Sequence, residues 1–152
     1  MLKTSMMIQE ESRIFDELRS RFEALSEEQM QVVGVTREWS TKDLLGHLAH
    51  WDQGAAEQVR ELQAGTWSPR KRTLEEADQI NREVTAANHA TLVLQLRDQF
   101  SRARTEIVSA LRDAPEEMDE TVPLARIVRS QCVRHGRSPS GATARLGRAF
   151  AK

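Results

Sequence analysis

The chain has 152 residues, 22 Lys and Arg against 23 Asp and Glu, and one cysteine. That length suits a single domain with a real core, and one cysteine excludes an intramolecular disulfide and fits a cytoplasmic protein. No apolar run approaches the ~20 residues of a membrane span, and no basic segment followed by an apolar core and a cleavage site marks a signal peptide.

Long stretches of Leu, Glu, Arg, Ala and Gln, with few Gly and Pro before residue 110, give an all-α class. The first helix is expected over residues 4–25, where Ile8, Phe15, Leu18, Phe22 and Leu25 keep a three-to-four spacing with Ile14 beside them. Ser26 and Gln29 form a capping box that opens a short helical turn before Gly34. Residues 31–35 are the only short strand candidate.

The second helix, over residues 41–63, is the best specified. Ser40 can accept from the Asp43 N–H as N-cap, and the Asp43 charge suits the positive helix end. Leu44, Leu48, Trp51, Ala55, Val59 and Leu62 make one apolar face, and Gly65 can stop the helix before the Ser68-Pro69 loop. Thr73 and Glu76 start a polar segment to Asn88. Thr91 can recap a stretch in which Leu92, Leu96, Phe100, Ala103, Ile107 and Leu111 form a stripe. The two segments read as one helical arm with a kink near residues 89–91, ended by Pro115. A fourth helix is expected over residues 124–133, with Leu124, Ile127, Val128 and Cys132 on its apolar face. The domain therefore covers residues 1–133, followed by a basic, poorly ordered tail over 134–152.

Net charge is −8 over residues 1–120 and +7 over residues 121–152, which contain no acid. A basic segment of that kind can contact nucleic acid, but the acidic body and the lack of interleaved aromatics argue against it. Residues 131–152, rich in Arg, Gly, Ala, Ser and Pro, have the composition of a GC-rich gene read in another frame.

Among the four histidines, His47 lies roughly 80° from the centre of the apolar stripe and His50 roughly 140° away, at ~100° per residue. His47 is placed at the core edge, either as a hydrogen-bonded packing residue or as a metal ligand held by a rigid helix. His50 is expected toward solvent, and His89 at a helix break. His135, beside Gly136, is the one candidate for a second ligand from the last helix. Trp39 and Trp51 read as core packing, Trp67 as a loop residue over one bundle end, and Cys132 as a packed thiol rather than a nucleophile.

Trp39, Ser40, Asp43, Leu44, Leu45, His47, Leu48 and Trp51 stand in the order and spacing of the second-helix motif of the DinB/YfiT-like superfamily. That superfamily includes ClbS/DfsB-like proteins and mycothiol-dependent maleylpyruvate isomerases. The resemblance extends over roughly residues 4–128, through Asp78, Gln79, Ile80 and Asn81 and the stretch 96–111. It implies an up-down-down-up four-helix bundle, often a homodimer. It also implies a divalent metal, zinc or nickel, between helices, and small-molecule transferase, isomerase or hydrolase chemistry with a thiol cofactor. His47 maps to the first metal ligand. The other two usually come from a His-x3-His on the last helix, where this chain has only His135. Two outcomes follow: a metal-dependent thiol-class enzyme with an incomplete site, or a non-catalytic small-molecule-binding or protective bundle protein that has lost the metal.

Overall fold

The computed structural model describes residues 1–36 and 39–130. Helices dominate: α1 (Thr4–Glu23), α2 (Glu27–Met30), α3 (Thr41–Ala64), α4 (Leu74–Asn88), α5 (Val93–Arg112) and α6 (Pro123–Val128). Four short strands accompany them: β1 (Leu2–Lys3), β2 (Val33–Thr36), β3 (Trp39–Ser40) and β4 (Glu117–Met118). No described helix is long and apolar enough to cross a membrane.

The helix starts follow local chemistry. In α3, the Asp43 N–H donates to Ser40 Oγ at 3.1 Å and the Ser40 N–H donates to Asp43 Oδ2 at 2.9 Å, closing the expected capping box. Ser26 with Gln29 and Thr73 with Glu76 close the same motif at α2 and α4. Gly65 ends α3 with φ 73°, a left-handed cap that glycine enters without the Cβ penalty.

Two features depart from the sequence reading. The expected kinked arm is two separate helices, because Leu92 has extended backbone (φ −68°, ψ 143°) and interrupts the helix. Thr91 does not cap α5; its hydroxyl donates back to the Ala87 carbonyl. Leu92, expected on the stripe, is 63% exposed, and Val93 takes its place at 3%. The second departure is strand pairing. β2 pairs antiparallel with β3, close to the expected strand, while β1 pairs antiparallel with β4. The second pairing ties the chain start to the turn after α5, where the Thr4 N–H donates to the Glu116 carbonyl at 2.8 Å.

Along α1 and α5 the contacts run in opposite order. Arg97 donates to the Phe22 carbonyl at 2.7 Å, Phe100 meets Phe15 at 5.2 Å, and Arg104 reaches Glu11. Arg97 so adds a side-chain donor to a carbonyl at the end of α1 that also accepts from the Leu25 N–H at 3.4 Å. The core has two apolar clusters. One gathers Leu18, Phe22, Leu44, Leu48, Leu96 and Phe100; the other gathers Ala55, Val59, Ile107, Leu111, Ile127 and Val128. Helix α4 buries no residue completely and packs on α3 from outside. The fourth helix is described only as α6 and the turn to Ser130. Residues 131–152, including Cys132, His135 and the expected basic tail, lie outside the described residues.

A layer of charge separates the two apolar clusters. Glu11 on α1, Asp52 on α3 and Arg104 on α5 are 1%, 0% and 2% exposed. The Arg104 Nε–H donates to Asp52 Oδ2 at 2.8 Å, and its Nη1–H donates to Glu11 Oε2.

Candidate functional site

The site forms where α4 crosses α3. Gly46 makes the close approach possible: a Cβ there would lie 2.2 Å from Asn88 Nδ2 and 3.3 Å from Asn88 Cβ. With α4 this near, Asn81 reaches the side chains of His47 and Trp51, which lie one helical turn apart on α3.

One oxygen organises the site. The Trp51 indole N–H donates to Asn81 Oδ1 at 2.8 Å. An indole nitrogen only donates, so the Asn81 atom facing it is the oxygen. His47 Nδ1 lies 3.2 Å from the same oxygen and must therefore carry the proton. The imidazole is held as the Nδ1–H tautomer, with its lone pair on Nε2. Trp39 flanks the ring at 5.0 Å between centroids, and Trp51 at 6.4 Å. Burial drives the His47 pKa down to about 4, against the hydrogen bond to Asn81, with His50 adding a small further lowering. His47 is thus neutral at pH 7.

His47 and Asn81 line a cleft of about 580 Å³ with Trp51, Gln58, Arg70, Arg72, Thr73 and Ser130. Arg72 lies over the Trp51 ring at 5.4 Å. Trp67, packed against the second apolar cluster, donates to Gln58 Oε1 at 3.2 Å and so helps to set the cleft wall.

The other histidines go elsewhere. His50 is half-buried rather than solvent-facing, edge-on to Trp51 at 5.4 Å, and lines the neighbouring groove between α3 and α5. Its pKa is lowered by burial and by the Arg72 charge. His89 sits at the end of α4, where the helix break was expected, with Nε2 3.3 Å from Asp43 Oδ1. His135 lies outside the described residues.

Among the described residues, no three His, Cys, Asp or Glu side chains gather closely enough to hold a metal ion. Among these residues the His47 ring meets the Asn81 amide and the Trp39 and Trp51 indoles, none of them a usual zinc or nickel ligand. The described donors do not fit a three-ligand metal centre.

Asn81 had no assigned role in the sequence reading; its relation to His47 crosses 34 residues and depends on how α4 docks. No curated protein and no solved structure matches the chain. A family model does, described as the DinB superfamily, over residues 11–136. That span includes α3 with its Trp39-to-Trp51 motif, the docked α4 and all of α5, and the chain belongs to the DinB superfamily.

Proposed function

We propose that this protein binds a small molecule in the cleft between α3 and α4, with the neutral His47 imidazole as a hydrogen-bond acceptor. The observation that carries this reading is the shared Asn81 oxygen. A histidine that only fills space needs burial, whereas this one has its tautomer set and lines a cavity within the usual size range of ligand sites. A pKa near 4 makes His47 a good acceptor but a weak base at neutral pH, since a general base works best with a pKa near the operating pH. Binding is therefore favoured over base catalysis by His47 alone.

A second reading is supported by the same contact. Metal-bound histidines commonly donate their other ring N–H to an oxygen, as His47 Nδ1–H does to Asn81. Under it the protein is a metal-dependent transferase or hydrolase of the thiol-dependent class, with His47 as first ligand and His135 as a further one. Metal analysis of the purified full chain beside His47→Ala separates the two. The first reading expects no stoichiometric zinc or nickel in either protein, and at least about tenfold weaker ligand binding in His47→Gln. Stoichiometric metal lost on His47→Ala would replace it with the second. Unchanged ligand binding in His47→Gln, with no metal, contradicts both.

A further inference from the structure

The cleft beside His47 has an unusual charge for this chain. Residues 1–120 carry a net charge of −8, yet among the described residues no Asp or Glu lines the cleft, while Arg70 and Arg72 both do. The neighbouring groove between α3 and α5, which shares both arginines, contains Glu57, Asp98 and Glu106.

The two arginines differ. Arg70 is neutralised by Glu61 at 2.7 Å. Arg72 has no carboxylate within ion-pair distance among the described residues; its guanidinium instead lies over the Trp51 ring. A guanidinium over an aromatic face keeps N–H donors for a further partner, and its fork matches an oxyanion. The same indole touches His47 and anchors Asn81, so Trp51 connects the cationic side of the cleft to its acceptor side.

We propose that the cleft selects a small molecule bearing an oxyanion, a carboxylate or a phosphate monoester, held by the Arg72 fork, with a neutral hydrogen-bond donor turned to His47 Nε2. This rests on the reading of the cleft as the ligand site. Because Arg72 is exposed, the attraction is screened by salt, and affinity falls as ionic strength rises.

The test uses the full chain, labelled with nitrogen-15, and follows the Trp51 indole N–H signal. The probes are glycolate, malate and methyl phosphate, with glycolamide and glycerol as neutral counterparts. Glycolate, malate or methyl phosphate is expected to move the signal at concentrations where glycolamide and glycerol do not; which anion binds tightest distinguishes carboxylate from phosphate. Arg72→Gln should weaken anion binding at least about tenfold and abolish its salt dependence. Arg19→Gln, an exposed change on α1, should leave it unaltered. Glycolamide binding as well as glycolate, or Arg72→Gln binding anions as the parent does, overturns the oxyanion proposal but leaves a small-molecule cleft standing. No response to any probe, charged or neutral, overturns both.

Discussion

Replacing Arg104 by methionine is expected to cost about 3–5 kcal/mol, the usual penalty for breaking a buried ion pair by removing one partner. Glu11 and Asp52 would then be two carboxylates in the core, with the guanidinium that both touch removed. Against a typical total of ~5–15 kcal/mol, that loss brings the bundle close to unfolding, with a fall in Tm of about 10 °C or more. The triple change Glu11→Met, Asp52→Leu and Arg104→Met removes these three charges together and should recover most of the loss, because apolar replacement of a buried ion triad is often neutral or stabilising. Thermal and urea unfolding measure both. A cost below about 1 kcal/mol for Arg104→Met alone would show that the carboxylates are not held in a dry core.

The same triad gives the stability a pH signature. Burial raises the Asp52 pKa to about 6, against the pull of Arg104. The folded state then binds that proton more tightly than the unfolded chain, so the Asp52 contribution to stability falls as pH rises from about 4 to 6. His47 has the opposite sign. Its folded pKa is about 4 against 6.5 unfolded, so its contribution rises over about pH 4 to 6.5. The two oppose each other in the parent protein and should leave a shallow profile. Asp52→Asn should expose the rising slope and His47→Gln the falling one, each at most ~1.4 kcal/mol per pH unit.

Gly46→Ala should destabilise the protein and also dismantle the site. The added methyl would overlap the Asn88 amide, and rotating that amide does not suffice because Asn88 Cβ is already 3.3 Å away. The end of α4 must therefore move. Overpacking of this kind costs roughly 1–3 kcal/mol, only partly offset by the ~1 kcal/mol preference of a helix for alanine. Asn81, two turns back along α4, would move from the His47 and Trp51 nitrogens, and the Trp51 indole signal should shift toward its solvated position. Gly54→Ala is the control: it lies in the same helix with nothing within 4 Å of a new Cβ, so it should gain up to about 1 kcal/mol. If both substitutions stabilise equally, α4 is not docked through Gly46.

What was legible in the sequence is what chemistry fixes over three or four residues. The Ser40–Asp43 and Thr73–Glu76 boxes, the Gly65 stop and the position of His47 at the core edge all follow from helix geometry. The α4–α5 junction is harder to read, because residues 89–92 lack the proline or glycine that usually marks a break, and nothing in those residue types marks the extended backbone at Leu92. The triad does have a sequence signature. Asp52 follows Leu48 by four and precedes Ala55 by three, while Arg104 follows Phe100 by four and precedes Ile107 by three, so both charges are in phase with an apolar stripe. Glu11 falls midway between Ile8 and Ile14 in the same way. Charges on the buried faces of three helices must meet or be paid for singly, and that requirement predicts a network. Asn81 left no such mark, since nothing in a polar exposed helix says which of its amides faces a histidine.

Asn81 holds His47 as a neutral Nδ1–H imidazole with its lone pair on Nε2. Long-range proton–nitrogen-15 correlation of the His47 ring between pH 3 and 8 tests it directly. The expected result is a protonated Nδ1 and an unprotonated Nε2 throughout neutral pH, with titration only near pH 4. A ring that carries its proton on Nε2, or that titrates near 6.5, would contradict it.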